Sequence, residues 1–327
     1  MPPPPPSRAA PDAGTSDGCV VALDLGGTEV KGALVDRSAR PVHAESRPTN
    51  REAGVEAVVG AVEAFGAELV ERAGRDRVRA VGLVVPGLVD GRNGVARYSV
   101  TLGWRDLPLR DRFSASLGLP VVLDHDVRAG ALAEGLLGAA RGCGDFLFLP
   151  VGTGIAGGMV LDGHPYAGSG TAAGEIGHTP VSPGGERCTC GQYGCLEVYA
   201  SAAGVVRRYL AASGTAVRGP DDVVQRASSG DEVAARVWKE AVDALATALA
   251  SYTLLLDPDL VVIGGGMAGA GRALFEPLGD RLRESLAWRP PPRLVPAELG
   301  ARAGCLGAAV VAWRLAGEPV EGDSAVR

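Results

Sequence analysis

The order of apolar and polar residues near the start of the chain predicts a β-hairpin with a glycine-rich turn. Residues 20–25 read Val-Val-Ala-Leu-Asp-Leu, a short apolar run that ends at Gly26-Gly27-Thr28. After the turn Val30, Gly32 and Leu34 alternate with Lys31 and Ala33, which is the period of a strand. Two strands joined by a glycine turn are therefore expected before residue 36.

Predicted helices and strands alternate along the rest of the chain. Residues 52–73, 127–140 and 231–256 carry apolar positions at helical spacing. Short apolar runs bounded by glycine, proline or aspartate predict strands at 78–85, 120–123, 146–151 and 260–263. This alternation is typical of the α/β class.

The first hairpin is repeated later in the chain. Residues 23–36 align without a gap with residues 149–162, and one leucine, two glycines and the final aspartate coincide. Both segments have the form strand, glycine turn, strand. The shared form indicates a duplication, and two such hairpins facing each other would clamp a phosphate chain from two sides.

Three glycine-rich turns are candidate phosphate contacts, because glycine lets backbone N–H groups approach an anion closely. An ordinary tight turn is the alternative for each of them. Two also match Gly-x-Gly-x-x-Gly, so a dinucleotide site and an oxidoreductase stay open, whereas the P-loop motif is absent. Asp24 stands beside the first turn, where a carboxylate suits Mg²⁺. The turns are Gly26-Gly27-Thr28, Gly152-Thr153-Gly154 and Gly264-Gly265-Gly266.

One histidine and three clustered cysteines predict a metal site. His178 precedes Cys188, Cys190 and Cys195, and glycines within this stretch permit the tight turns that aim short side chains at one ion. Three thiolates and one imidazole fit tetrahedral Zn²⁺ in a closed structural site. The alternative is a loop of unligated cysteines. Glu175 and Glu197 flank the cluster, where a rigid loop would hold them around a polyol.

Asp126 is a candidate general base at the end of the strand predicted at 120–123. A carboxylate between a strand and a helix N-terminus accepts backbone N–H bonds and stays ionised and oriented. The alternative for Asp126 is a plain helix N-cap.

Composition narrows the classes of partner. The chain has 327 residues, 46% of them hydrophobic, and a formal net charge of −6. The acidic balance argues against nucleic acid as a partner, since binding the phosphate backbone needs a basic face. No apolar run approaches the ~20 residues of a membrane span. Residues 1–17 contain five consecutive prolines and lack the pattern of a signal peptide, so we expect a disordered tail and a cytoplasmic protein.

Together these motifs resemble the ROK family (repressor, open reading frame, kinase), and most closely its glucokinase-like sugar kinases, over about residues 20–315. The resemblance is most specific in Gly174-Glu175-Ile176-Gly177-His178 and the cysteine loop that ends at Glu197. It implies an actin-like, ribonuclease-H-like α/β fold of two domains around a cleft. We expect a small domain at 18–124, which a helix at about 303–316 completes, and a large domain at 125–302 that carries the zinc loop. The ends of the chain are expected to be a disordered tail at 1–17 and a frayed tail at 317–327.

The resemblance also implies an ATP-dependent hexose kinase, with glucose as the expected sugar and a homodimer or homotetramer as the expected assembly. Asp126 would be the base, with ATP, Mg²⁺ and a structural Zn²⁺ as cofactors. The implied sugar-binding residues are Thr101, His125, Asp126, Glu175, His178 and Glu197. The implied phosphate and nucleotide contacts are Asp24, Gly26, Gly27, Thr28, Lys31, Gly152, Thr153, Gly154, Gly264, Gly265 and Gly266.

The chain departs from the family pattern at Thr101 and His125, and Arg128 also stands where the family frequently has an asparagine. Thr101 and His125 stand where the family usually has sugar-contacting asparagines, and an amide offers both donors and an acceptor. The sugar is therefore open to another hexose or an N-acetylhexosamine. A sugar-sensing regulator is the other alternative, although the 17 residues before the first strand are too few for the helix-turn-helix of the family's repressors.

Overall fold

The computed structural model describes residues 18–323, so the tail expected at 1–17 lies outside the described residues. Within this range none of the helices combines the length and apolar composition that crossing a bilayer requires. The described chain forms two five-stranded sheets, one three-stranded sheet and the surrounding helices. This arrangement confirms the predicted α/β class.

The first five-stranded sheet contains the predicted amino-terminal hairpin. Its strand order is β3-β2-β1-β4-β8. β1, β4 and β8 are parallel, and β2 and β3 run antiparallel to their neighbours. The parallel strands therefore end at the same edge of the sheet. Its members are β1 (Cys19–Leu25), β2 (Glu29–Val35), β3 (Pro41–Pro48), β4 (Val78–Val85) and β8 (Val121–His125).

The second five-stranded sheet repeats this topology. Its order is β11-β10-β9-β12-β13, and each neighbouring pair has the same relative direction as its counterpart in the first sheet. The hairpin register differs by one residue, because Gly158 pairs with Phe148 whereas its counterpart Gly32 pairs with Leu23. The strands are β9 (Phe146–Pro150), β10 (Gly158–Leu161), β11 (His164–Pro165), β12 (Leu260–Gly264) and β13 (Arg293–Pro296).

The helices of the described chain surround the two large sheets. Their bounds are α1 (Val55–Ala73), α2 (Leu109–Leu117), α3 (Asp126–Leu137), α4 (Leu196–Ala200), α5 (Ala202–Ser213), α6 (Pro220–Ser228), α7 (Glu232–Leu256), α8 (Arg272–Ser285) and α9 (Ala303–Leu315). Of these, α5 and α6 pack on other helices. A small antiparallel sheet of β5 (Leu88–Asp90), β6 (Val95–Ser99) and β7 (Trp104–Leu107) lies between β4 and α2 in the sequence.

The helix pair α3 and α9 joins the two large sheets. Apolar residues of both helices pack with β1, β2 and β4 on one side and with β9, β10 and β12 on the other. Small residues allow close approach: a Cβ on Gly82 would lie 1.9 Å from the Ala308 carbonyl oxygen, and one on Gly307 would lie 2.2 Å from that of Ala129. The helix expected at about 303–316 thus packs against the first sheet. The division into domains at 18–124 and 125–302 stays a prediction.

Two helices begin or end at residues other than those predicted, for reasons found in the local structure. The helix predicted at 52–73 begins at Val55, because Gly54 has a positive φ of 92°. The helix predicted at 127–140 starts one residue early and ends at Leu137, where the Glu134 carboxylate accepts the backbone N–H of Ala139 at 2.8 Å.

The segment after α9 differs from the frayed tail predicted from residue 317. Val320 is buried in the core shared by α9 and the first sheet. The Arg314 guanidinium forms a two-bond ion pair with Asp323, at 2.6 and 2.8 Å. Residues 317–323 are therefore held against the protein, and residues 324–327 lie outside the described chain.

Candidate active site

The first glycine turn places a buried carboxylate at the end of β1. Asp24 is 9% exposed, and its Oδ2 lies 3.8 Å from the Lys31 Nζ on β2. Burial raises the pKa of Asp24 to about 7, with a further rise from the nearby Asp126 carboxylate that Lys31 opposes. The charges of two carboxylates and one ammonium group therefore influence one another beside the turn.

The start of α9 reaches the same carboxylate, which the sequence pattern did not indicate. A Cβ on Gly304 would lie 2.6 Å from the Asp24 Oδ2, so a larger residue at this position would displace the Asp24 carboxylate. Lys31 also donates to the Ala301 carbonyl oxygen at 3.0 Å, just before the helix. The far end of the chain thus helps to enclose a site that begins at residue 24.

Asp126 is the first residue of α3 and not its N-cap. The cap is His125, whose Nδ1 accepts the backbone N–H of Arg128 at 3.3 Å. The Oδ1 of Asp126 accepts the Val127 N–H at 2.7 Å. The carboxylate is therefore held at the carboxyl end of β8, near the end of β1, because both strands run parallel within one sheet.

An ion pair beneath Asp126 was missed in the sequence. Arg128 is buried, and its guanidinium binds the Asp124 Oδ1 at 2.5 and 2.7 Å and the Val89 carbonyl oxygen at 3.3 Å. The sequence carries no local signal for it, because Asp124 lies at the end of β8 and Arg128 in the helix that follows. This ion pair joins the strand end, the helix and the small sheet below the candidate base.

Thr101 lies against the first glycine turn. A Cβ on Gly27 would lie only 2.3 Å from the Thr101 methyl carbon, so the turn and the loop between β6 and β7 are in contact. Thr101 is exposed. The structure therefore brings one predicted sugar-binding residue next to the predicted phosphate loop.

The second and third glycine turns meet at the carboxyl ends of β9 and β12. The Val151 N–H donates to the Gly264 carbonyl oxygen at 2.9 Å, and the Met267 N–H donates to the Val151 carbonyl oxygen at 3.1 Å. Gly265 has a φ of 75°, and a Cβ there would lie 2.4 Å from that same oxygen. The two turns therefore form one continuous backbone surface. The Gly152 turn leads into β10, which contradicts the helix that a dinucleotide fingerprint requires.

Glu197 follows the cysteine loop in the sequence, and its side chain contacts the second glycine turn. Its Oε2 accepts the Ile155 N–H at 2.8 Å, and a Cβ on Gly154 would lie 2.7 Å from the same oxygen. The neighbouring Ala202 N–H donates to the Gly152 carbonyl oxygen at 2.8 Å. The starts of α4 and α5 are thus both bound to the turn.

Glu175 follows Gly174, which packs against the segment after the second glycine turn, at Gly157. Gly174 has a φ of 100°, and its carbonyl oxygen accepts the Gly157 N–H at 2.7 Å. A Cβ on Gly174 would lie 2.0 Å from the Gly157 carbonyl oxygen. This close approach sets the position of the half-buried Glu175 and of the short 3₁₀ turn that carries His178.

The four predicted metal ligands converge. The ligand atoms of His178, Cys188, Cys190 and Cys195 all lie within 4.8 Å of one another. The Nδ1 of His178 is 3.7 Å from the Cys188 Sγ, and the Cys190 and Cys195 Sγ atoms are also 3.7 Å apart. Tetrahedral zinc with sulfur at about 2.3 Å requires ligand separations of about 3.8 Å, which these distances match.

The donor chemistry also fits a cation. Burial and hydrogen bonds with Cys190 and Cys188 raise the pKa of Cys195 to about 12 in the absence of an ion. Thiols this close cannot all ionise unless a positive charge lies among them. The cluster is therefore a candidate metal centre.

The described contacts form two groups. The first contains Asp24, Lys31, Asp126, Gly27 and Thr101, and the second contains the Gly152 and Gly264 turns, Glu197 and the metal cluster. Each group lies at the carboxyl edge of one large sheet, where α/β proteins bind ligands.

The family model for the ROK family matches residues 20–314, which is nearly all of the described chain. The chain belongs to the ROK family. It is 33% identical to the glucokinase of Thermotoga maritima over 278 residues, covering 80% of this chain and 86% of the relative.

Two solved ROK structures resemble the whole described fold. A ROK hexokinase from Thermus thermophilus is 38% identical, with a TM-score of 0.80, and the match covers 90% of this chain and 98% of that one. A ROK glucokinase from Streptomyces griseus, in complex with glucose and AMPPNP, is 30% identical, with a TM-score of 0.76 and coverage of 91% and 100%. The actin-like α/β fold expected for this ROK protein is confirmed.

Proposed function

We propose that this ROK protein is an ATP-dependent hexose kinase that converts glucose to glucose 6-phosphate. The observation that carries the proposal is the pair of carboxylates at one edge of the first sheet, with Asp24 near the end of β1 and Asp126 directly after β8, two parallel strands separated by β4. Similarity to a glucokinase and to a structure holding glucose and an ATP analogue supports the choice of substrates.

In the proposed reaction Asp126 accepts the proton of a sugar hydroxyl. The hydroxyl oxygen forms a bond to the γ-phosphorus of ATP, the bond between this phosphorus and the β,γ-bridging oxygen breaks, and ADP leaves. A positioned carboxylate contributes about 10²–10⁴-fold to such proton transfers. The Val127 N–H holds one oxygen of Asp126 at 2.7 Å, which orients the carboxylate for this task.

The glycine turns would bind the phosphates and nucleotide. Gly27 and Thr28 on one side and Thr153 and Gly154 on the other offer backbone N–H groups, and the Gly264 turn joins the second set. Asp24 would hold Mg²⁺, which neutralises charge on the transferred phosphoryl group when bound. Lys31 lies beside the same carboxylate and would partly balance its charge.

The sugar would be held mainly from the second sheet. His178 directs Nδ1 to the sulfur cluster, which leaves Nε2 for a hydroxyl, and Glu197 binds Ile155 with one oxygen, which leaves the other. Glu175 and Thr101 would complete the contacts. The short threonine at 101 keeps another hexose or an N-acetylhexosamine as an alternative substrate.

We further propose that the Cys₃His cluster holds one structural zinc ion per chain. A closed set of four protein ligands leaves no open position for chemistry, so the ion would fix the loop that carries His178 and Glu197. A cytoplasmic site of action and a homodimer or homotetramer remain part of the same proposal.

The test is to incubate purified protein with Mg-ATP and a panel of hexoses and N-acetylhexosamines, and to measure ADP and sugar phosphate. We expect turnover with at least one sugar, glucose first. Asp126→Asn should lower kcat by about 10²–10⁴-fold, because the amide cannot accept the proton. Absence of turnover across the panel by the wild-type protein would reject the kinase proposal.

A further inference from the structure

Thr49, directly after β3, is bonded to both ends of the first glycine turn. It is 4% exposed, and its hydroxyl donates to the Gly26 carbonyl oxygen at 2.7 Å. Its backbone N–H donates to the Thr28 carbonyl oxygen at 3.0 Å. Because Thr49 is buried and its hydroxyl hydrogen is used within the protein, its effect on a ligand at the turn must pass through the backbone of the turn.

The bond to the Gly26 carbonyl oxygen sets the direction of the next N–H group. The peptide bond between Gly26 and Gly27 is trans, and a trans peptide unit points its C=O and its N–H in opposite directions. The Gly27 N–H therefore points away from Thr49. Within residues 18–323, the N–H groups of Gly27 and Thr28 donate to no protein atom, so both are available to a ligand.

The peptide unit between Gly26 and Gly27 needs such a restraint. Neither residue has a Cβ, so the backbone on both sides of the unit can rotate easily. Rotation by about half a turn would replace the N–H with the C=O and present a partly negative oxygen to an anion. The same rotation would break the bond from the Thr49 hydroxyl. This hydroxyl therefore stabilises the orientation of the turn that suits a phosphate group.

The second glycine turn is held at the equivalent atom. Gly152 aligns with Gly26 in the repeated hairpins, and its carbonyl oxygen accepts the Ala202 backbone N–H at 2.8 Å. The Thr153 N–H consequently points away from α5. In both turns a donor outside the hairpin binds the carbonyl oxygen of the first glycine. In the first turn this donor is a side chain, so a substitution can remove it.

We propose that Thr49 is a positioning residue for nucleotide binding. Its hydroxyl holds the Gly26 carbonyl group so that the Gly27 N–H faces the phosphate groups of ATP, and Thr49 itself touches no ligand. The inference rests on the proposed function, in which the first glycine turn binds phosphate. The effect concerns the nucleotide and not the sugar, since the proposed sugar contacts lie mainly on the second sheet.

Two substitutions at this position separate the hydroxyl from the rest of the residue. Thr49→Val removes the hydroxyl and keeps the branched shape and the backbone N–H. We expect its Kd for AMPPNP with Mg²⁺, measured by calorimetry, to rise about three- to tenfold, the loss that one hydrogen bond produces. Thr49→Ser keeps the hydroxyl and should bind AMPPNP within about twofold of wild type. The KM for Mg-ATP should follow the same order, while the Kd for glucose stays unchanged in both variants.

A matched control removes a similar hydroxyl elsewhere. Thr253, in α7, is also buried, and its hydroxyl donates to the Leu249 carbonyl oxygen at 2.7 Å. Thr253→Val should leave the Kd for AMPPNP unchanged, whatever its effect on the thermal midpoint. An unchanged Kd for AMPPNP in Thr49→Val, an equal loss in Thr49→Ser, or equal losses for AMPPNP and glucose would overturn the positioning role.

The binding measurement needs no turnover, so it is separate from the kinase assay. A protein that phosphorylates no sugar, but whose affinity for AMPPNP depends on the Thr49 hydroxyl, would reject the kinase proposal and support the role of Thr49. Turnover of glucose with wild-type nucleotide affinity in Thr49→Val would do the reverse. A wild-type protein that binds no AMPPNP would overturn both.

Discussion

At the scale of single residues, the environment of Asp24 has a consequence for stability. Its pKa is raised to about 7 in the folded protein, first by burial and then by Asp126, whereas it is ordinary in the unfolded chain. The folded state therefore binds a proton that the unfolded state has already lost between about pH 4 and 7. Above pH 7 a buried charge remains, which bound Mg²⁺ would compensate.

We expect stability to fall as the pH rises from 5 to 8 in protein free of magnesium, sugar and ATP. Asp24→Asn should remove most of this slope and raise the free energy of unfolding at pH 8 by up to about 4 kcal/mol. Urea unfolding at several pH values measures both. Asp111→Asn, a change at an exposed aspartate, is the control and should keep the wild-type slope.

Residue types indicated most of the candidate site before its geometry was known. Asp24, Asp126 and the four metal ligands stand out because carboxylates at strand ends and closely spaced thiols have few structural uses. The Arg128–Asp124 ion pair and the approach of Gly304 to Asp24 did not stand out. They depend on contacts between distant elements, which no local pattern contains.

At the scale of elements, the cysteine loop acts as a support for the second turn. His178 and Glu197 lie at either end of this loop, and Glu197 also binds the Ile155 N–H. A metal ion that closes the loop would therefore fix both side chains relative to the glycine turn.

Removal of one metal ligand tests this role. Cys188→Ser should reduce the zinc content from about one ion per chain to near zero and lower the thermal midpoint, because serine provides no thiolate. We also expect a loss of kcat/KM for the sugar. Cys143→Ser, which alters a cysteine outside the cluster, should retain both zinc and activity. Elemental analysis that finds no zinc in the wild-type protein would contradict the assignment.

The hydrophobic pattern predicted where helices and strands lie more accurately than it predicted the residues at which they begin and end. The strand predicted at 78–85 is observed as Val78–Val85, and the helix predicted at 231–256 as Glu232–Leu256, with the Asp231 side chain as its cap. The small sheet of β5, β6 and β7 was not predicted, since its strands have three to five residues. Such short strands depend on neighbours that local periodicity does not contain.

At the scale of the whole molecule, α9 ties the end of the chain to its first sheet. Trp313 is fully buried, and its Nε1 donates to the Asp36 carbonyl oxygen at 3.1 Å, just after β2. α9 also packs on α3, which carries Asp126 at its first position. Stability and the position of the base are therefore coupled through one helix.

A single methyl group between α9 and the sheet tests this coupling. Gly82→Ala would place a Cβ 1.9 Å from the Ala308 carbonyl oxygen, so α9 must move. We expect a loss of about 1–3 kcal/mol in the free energy of unfolding, together with reduced kcat. The matched control is Gly60→Ala in α1, where no atom lies within 4 Å. This change should add about 0.5–1 kcal/mol and leave kcat unchanged.

The sequence by itself determined the α/β class, the repeated hairpin, the glycine turns and the candidate metal ligands, because each depends on residues within one short segment. Only the tertiary structure decided that the Asp126 charge acts on Asp24, that Gly304 packs against Asp24 and that His125 caps the helix that Asp126 begins. These contacts join parts of the chain up to 280 positions apart (Asp24 to Gly304). The packing of α3 and α9 between two similar sheets brings them together, and packing is a property of the assembled molecule.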